Sequence, residues 1–569
     1  MQGYKSKTGN GLLAICMGKN YQDSMVVFRE YVQNSCDSVY EAMKQGFYNS
    51  EDERCIAIDI TPGLKRVCFM DRGTGVAKAD IGPRLVDIGA SIKNGIDQIG
   101  SYGIGRLVGA NWCDKIIFET SVKGEAEKSI LTFDSVLAHE LIKDKTGDCT
   151  DSLDAVTSCV YEKEDVDEHY FRVTLENAKD SLLNDLKSVK EYLASMVPVD
   201  YSFEFYDLMQ PYLNANHDFN ERIKNLTRCS VTVNGAPVEK PYTREIYSEG
   251  STELKKITPP SFFTIEDSTY GQLAWGWYAF NEKIEQMNSL PYRGIRLRKH
   301  NMAIGSYDYL TKYFPRPVDA NYFIGEIHIV HPDITPTGTR EAIETSDSPV
   351  ANIFLYKLEK QIFPGLKKDY ENLSRLGSSA FTPLVKSKME IDIARKIVNV
   401  DNIPEEKKEA AKDKAHEARK TLITAKEELR KKLQALENSD TTSPEVVKFI
   451  TAQWEKKVAA TISENNAKTP KELHLDAFKL TTIINDVLNE QPSTPQPPQP
   501  VSGGNQTPPV TPPEPPVEPK ETDVYKALGK SEYKLMKQVY QILDAEKSIP
   551  PQILAKLKKK LVKKLIGKE

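Results

Sequence analysis

Apolar residues along this chain change their period several times, and each change marks an element. Phe28, Tyr31, Val32 and Val39 recur at helical spacing, which predicts a helix over Met25 to Met43. Ile56, Ile58 and Ile60 alternate instead, Thr61-Pro-Gly-Leu64 turns, and Val67 and Phe69 alternate back, which predicts a pair of strands. Ile116 to Thr120 and Ser129 to Phe133 read as further strands, and Ser181 to Met196 reads as an amphipathic helix. A second group of strand signals, Ser230 to Asn234, Gly271 to Ala279 and Tyr322 to Val330, falls in a region from about Phe219 to Leu376. From Ile391 to Asn489 the pattern is helical. Ala411, Ala415, Ala418, Leu422, Ala425, Leu429 and Leu436 recur at spacings near 3.5, which predicts a coiled coil or long helical hairpin, or a charged helix packed on its neighbour. Ser443-Pro444-Glu445 reads as a helix start, with Ser as N-cap and Pro at the first position.

Composition adds the boundaries. At 569 residues the chain calls for several domains, because one core rarely serves more than ~250–300 residues. Pro492 to Pro519 holds twelve prolines and reads as an extended linker. The expected units are therefore an α+β region over 1–210, a second α/β region over 211–385, helices over 386–490, the linker over 491–520 and a basic helical module over 521–569. That last module holds twelve lysines against six acidic residues, about +6 in a chain of net charge −5. Its final helix puts Ile553, Leu554, Leu557, Leu561 and Leu565 on one face, the form of an element that docks a protein partner or nucleic acid. Hydrophobic residues at 39% and charged residues at 28% describe a soluble globular protein with no membrane span. The first residues carry no long apolar run, so no signal peptide is expected. Eight cysteines without a CxxC pair argue against zinc and against a disulfide framework, and point to a reducing cytoplasm.

Three short motifs carry candidate chemistry. Glu30, Asn34 and Asp37 share one face of the first helix. An amide oxygen there suits Mg²⁺, and a carboxylate beside it can orient and deprotonate a water. Asp71-Arg-Gly73-Thr-Gly75 follows a strand, and its glycines let backbone pass close to a ligand. Gly100-Ser-Tyr-Gly103-Ile-Gly105 precedes an expected helix over Arg106 to Trp112, whose N–H groups and positive end suit phosphate. Val76 to Ile99, with Gly82, Gly89, Ser91, Lys93 and Gly95, has the length of a lid.

In order and spacing these motifs resemble the GHKL ATPases, among them HtpG-type heat-shock chaperones, MutL and MORC proteins. The resemblance spans about residues 10 to 375 and implies a Bergerat-type ATPase sandwich, an α/β transducer domain and a helical C-terminal region. It implies ATP and Mg²⁺ as cofactors. Glu30 would be the catalytic base, Asn34 the metal ligand, and Asp71 the acceptor for the adenine amino group. Asp37, Gly73, Gly75, Lys93, Gly100, Gly103 and Gly105 would complete the nucleotide site. Asp333-Ile-Thr-Pro-Thr-Gly-Thr-Arg340-Glu341 looks like the HtpG loop that delivers an arginine to the γ-phosphate, so Arg340 is a second catalytic candidate. Arg293 to Arg298 reads as a basic strand with a structural role, or as one whose arginines line a groove. Two departures stand out. The family's last Gly-Thr motif is replaced near Tyr170 to Leu175 by YFRVTL, and the chain passes from Arg340 into charged helices, more as a MORC protein does. The implied function is an HtpG-like ATPase that dimerises through its N-terminal region and remodels protein clients. The alternative is a MORC- or MutL-like clamp on nucleic acid.

Overall fold

The computed structural model describes residues 8–19, 21–48, 50, 52–87, 105–247 and 254–489. A single turn, α1 (Gly11–Ala14), leads into α2 (Val26–Lys44). The apolar stripe of α2 becomes its core face, with Phe28, Val32 and Cys36 fully buried. Beneath it lies an eight-stranded sheet in the order β5-β4-β3-β6-β2-β1-β7-β8. The strands are β1 (Ile56–Thr61), β2 (Arg66–Asp71), β3 (Lys115–Ser121), β4 (Glu127–Asp134), β5 (Thr157–Lys163), β6 (Tyr170–Glu176), β7 (Val231–Val233) and β8 (Ala236–Pro237). All neighbours are antiparallel except β1 and β7. In β1 and β2 alternate residues are buried, so the face carrying Ile58, Phe69 and Asp71 packs under α2. Helices α3 (Ser135–Leu141) and α4 (Cys149–Val156) link β4 to β5, and α5 (Leu186–Met196) packs beside α2.

Three expectations change here. The helix over Ser181 to Met196 is interrupted at Asp185, whose carboxylate accepts from Ser188 N and caps α5 anew. The strand at Ser230 to Asn234 is β7, but it pairs with β1 of the first sheet. And one disulfide is present: Cys36 of α2 is bonded to Cys229 just before β7, 193 positions later, while the other six cysteines are free. Separation of that size leaves no local spacing to read.

Helices α6 (Phe203–Ala215) and α7 (His217–Lys224) connect to the second region, where β9 (Glu245–Tyr247) and β10 (Leu254–Lys256) form a small pair. The second sheet has the order β11-β12-β15-β13-β14, from β11 (Ser261–Asp267), β12 (Gly271–Ala279), β13 (Gly294–Lys299), β14 (Met302–Ile304) and β15 (Ile324–Ile329). One face packs Tyr278, Leu297 and Ile327 on α8 (Pro349–Lys357) and α9 (Phe363–Arg375). The other face packs Trp275 and Trp277 on Phe205 of α6 and also carries Arg296, Arg298, Glu326 and His328, all buried. A sheet covered on both sides explains why β12 lacks polar alternation and why the charged residues that alternate along β13 and β15 are buried.

The helical region consists of α10 (Thr382–Asn399), α11 (Glu405–Glu437), α12 (Pro444–Lys468) and α13 (Leu480–Asn489). The alanine seam is used inside the chain. Ala411 and Ala415 pack on Ala394 of α10, and Ala425, Leu429 and Leu436 join the core under the second sheet. Consecutive helices α10 and α11 pack on each other, which fits both the helical hairpin and the charged helix packed on its neighbour. Ser443 stands at the N-cap position of α12, but its hydroxyl makes no cap hydrogen bond. Among the described residues no helix is long and apolar enough to cross a membrane. The fold is α+β, with a large, mostly antiparallel sheet and long helices toward the C-terminal side.

Candidate functional site

Helix α2 projects Glu30, Asn34 and Asp37 from its half-buried side, opposite the core stripe. Arg29, 4% exposed, turns back onto Glu30: its Nη2 lies 2.8 Å and its Nε 3.1 Å from Glu30 Oε1. The other carboxylate oxygen faces Gly105, where an added Cβ would stand 2.5 Å from Glu30 Oε2. Glycine at 105 is thus what lets the third motif approach the second carboxylate oxygen. The element that begins there is a short 3₁₀ turn, Gly105–Asn111, and not the α-helix expected over Arg106 to Trp112. Tyr31 donates to the Arg106 carbonyl at 3.0 Å and fixes this turn to α2. Arg106 in turn donates from Nε to the Leu85 carbonyl at 3.0 Å and from Nη2 to the Asp87 carbonyl, tying the described end of the lid segment to the same place. Gly82 lies within that part of the segment. Gly89, Ser91, Lys93, Gly95, Gly100 and Gly103 lie outside the described residues.

Asp71 ends β2 at 1% exposure. It accepts from Gly73 N at 2.9 Å and interacts with the Ser35 and Ser38 hydroxyls of α2. Burial outweighs those hydrogen bonds and pushes its pKa up to about 7. Gly75 has φ +68°, and a Cβ there would meet the Ser121 carbonyl oxygen at 2.1 Å, so glycine is required on both counts. His169 Nδ1 lies 2.8 Å from the Gly73 carbonyl oxygen, and Tyr48 donates to the Arg72 carbonyl at 2.9 Å; together they hold the 71–75 loop from outside. Opposite Asp71 on β6 stands Phe171, so the YFRVTL segment supplies an aromatic residue next to the carboxylate.

Arg340 comes from the second region yet reaches the same place. It is 6% exposed, and its pKa is pushed down to about 10, by burial first and then by the Arg29 charge, with Glu30 and Asp37 opposing. Its field therefore overlaps with that of the carboxylates on α2. The loop that delivers it is tightly made. Arg340 N donates to the Thr337 carbonyl at 2.8 Å, Gly305 N to the Arg340 carbonyl at 2.8 Å, and Arg340 Nη2 to the Lys299 carbonyl at 3.3 Å. Lys299 Nζ donates to the carbonyls of His331, Pro332 and Ile334 and anchors the strand end before the loop. Arg340 itself adopts φ 54°, an uncommon conformation for a residue with a side chain. Glu341 acts on Tyr21 along with Glu30, which brings the end of the loop to the start of the first region.

The structure thus gathers Glu30, Asp37 and Arg340 in one electrostatic neighbourhood, sets Gly105 against Glu30, and groups Asp71, Gly73 and Gly75 in a loop against Ser38. Residues 21–158 match the family model described as histidine kinase-, DNA gyrase B-, and HSP90-like ATPase. This segment is similar to an ATPase domain of the GHKL type. The match contains Glu30, Asn34, Asp37, the Asp71–Gly75 loop and Gly105, and stops well before Arg340. No curated protein matches the chain. Motif reading of the GHKL domain missed Arg29, Ser35, Ser38 and His169. Arg29 is adjacent to Glu30 in sequence, where side chains on a helix do not normally face each other. The serines carry no signal apart from their nearness to Asn34.

Among the described residues no cluster of three or more His, Cys, Asp or Glu side chains could hold a metal by itself. The donor set fits Mg²⁺ all the same, because Mg²⁺ keeps waters and substrate phosphates and needs few protein oxygens, here the Asn34 amide.

Proposed function

We propose that this chain is an ATP-hydrolysing machine of HtpG-like type, with residues 1–210 as ATPase domain and 211–385 as transducer. The observation that carries this reading is Arg340, brought from the second region into the field of Glu30 and Asp37. Asp71 accepts from the adenine amino group, and Gly73 and Gly75 admit the base. Glu30 orients and deprotonates the attacking water, and the Arg29 ion pair fixes its carboxylate. Asn34 holds Mg²⁺, which screens the phosphate charge when bound, and Asp37 braces that side of the pocket. Lys93, Gly100, Gly103 and Gly105 belong to the nucleotide-binding set. Arg340 stabilises charge that develops on the γ-phosphate, so turnover depends on how the two regions meet. The nucleotide cycle drives N-terminal regions of two chains together and remodels a protein client.

A second reading, a clamp on nucleic acid of MORC or MutL type, is favoured by one observation: beyond Arg340 the chain continues as helices packed on the second sheet. The basic module over 521–569 is a recruiting element in either case. A cytoplasmic location rests on sequence alone, and the Cys36–Cys229 bond removes the cysteine argument for it. The deciding experiment is ATP turnover of the full chain alone and with unfolded protein, duplex DNA or RNA. Stimulation by unfolded protein supports the first reading; stimulation by nucleic acid alone replaces it with the second.

A further inference from the structure

The inner face of the second sheet holds more positive than negative charge. Lys240, Arg296 and Arg298 are exposed by 2%, 1% and 0%, and Glu326 among them by 0%. Arg298 and Lys240 share that carboxylate, at 2.5 Å and 2.6 Å, and Tyr201, Tyr242 and His328 complete its shell. Arg296 is the register partner of Glu326 across β13 and β15 but makes no bond to it. Its Nη2 ends on the Met196 sulfur at 2.5 Å, and its Nε and Nη1 find no acceptor. The Tyr307 ring lies 4.5 Å from the guanidinium carbon, and the Tyr307 hydroxyl is buried and equally without a partner. The groups that act most strongly on Arg296 are Tyr307, Arg298, Tyr242 and Tyr192, none of them a carboxylate. Asp200, which acts on Lys240, is paired with Arg228 at 3.0 Å.

A guanidinium does not escape burial by losing its proton. Burial pushes Arg296 down only to about 10, so it stays charged at neutral pH. Buried charges are paired as a rule, and buried donors have acceptors. Here, where β13 meets Met196 of α5, two guanidinium nitrogens and the hydroxyl of the tyrosine whose ring lies against that guanidinium meet none. We propose that Arg296 and Tyr307 bind a small monovalent anion of the chloride class at this seam. One negative charge balances Arg296. A phosphate dianion brings a second charge beyond that of Arg296 and more acceptors than Nε, Nη1 and the Tyr307 hydroxyl match. The site is separate from the nucleotide pocket and independent of the function proposed above.

The test uses the full chain at constant ionic strength, with gluconate replaced stepwise by chloride. Thermal unfolding and ³⁵Cl line broadening are both followed. Tm should rise with chloride as ligand linkage requires, and the protein should broaden the ³⁵Cl signal. Arg296→Met should abolish both effects and be no less stable than the wild type in gluconate, since it removes an unpaired buried charge. Tyr307→Phe should fold normally and weaken chloride binding by about fivefold, the worth of one hydrogen bond. Equal Tm in both salts with no line broadening overturns the proposal and assigns the donors to water. Chloride stabilisation that survives in Arg296→Met, or that is unchanged in Tyr307→Phe if the first variant does not fold, places the ion elsewhere and also overturns it. Inorganic phosphate as effective as chloride overturns the monovalent class.

Discussion

Asp71 is almost wholly enclosed, and burial lifts its pKa from the ordinary 3.8 to about 7. A carboxyl group raised in this way adds its full share of stability below about pH 4 and loses it as pH rises through about 7. In the proposed role the adenine amino group donates to the ionised form. ATP affinity should therefore rise with pH and level off above about 7, and calorimetry at pH 6 should find binding about tenfold weaker than at pH 8. Asp71→Asn should leave the apo protein no less stable at pH 8 while abolishing binding, because an amide can present a donor to the adenine amino group; unchanged affinity would put the pocket elsewhere. Glu30 and Arg340 separate by kinetics. Glu30→Ala should keep ATP binding and lower turnover by about 10²-fold or more. Arg340→Ala should slow hydrolysis by up to about 10³-fold and spare ADP affinity, since the residue serves only the γ-phosphate. Equal loss of binding and turnover in either variant would remove it from the chemistry. At this scale the sequence was legible where spacing on one helix sets geometry, as with Glu30, Asn34 and Asp37. It was silent on Ser38, which meets the 71–75 loop only because β2 is packed under α2.

Among the elements, those with a strong local period were readable. Helix α2 and strands β1, β2 and β12 stand within a residue or two of their expected positions. Elements whose nature depends on a partner were not. A strand at Ser230 to Asn234 says nothing of which sheet it joins, and β7 found β1. The seam of α11 fits a partner from another chain as well as one from its own, and α10 covers it. Leu429, 0% exposed, sits where α11 enters the core beneath the second sheet. Leu429→Ala should cost about 2–5 kcal/mol. It should lower the Tm of the full chain without altering ATP affinity. A Tm within a degree of the wild type would show that the helical region contributes little to the second sheet.

For the whole molecule the proposed cycle requires two chains to meet when ATP is bound. Glu30→Ala, which should hold ATP without consuming it, is the suitable form for measuring mass in solution. A dimer with ATP and a monomer without it are expected, and a monomer at micromolar concentration in both conditions counts against any clamp-like cycle. Deleting residues 492–569 should leave basal hydrolysis intact and remove partner binding; a several-fold slower rate would place the tail within the catalytic cycle. The α2 face and the Asp71–Gly75 loop followed from the sequence, because each depends on residues a few positions apart. Folding in three dimensions settled that Gly105 lies against Glu30, that Cys36 meets Cys229 and that Arg296 is buried without a carboxylate, and it put Arg340, already named through the resemblance, near a helix about 300 positions earlier. The cause is the same in each case: these contacts join elements far apart in sequence, and no local period along the chain encodes which surfaces will meet.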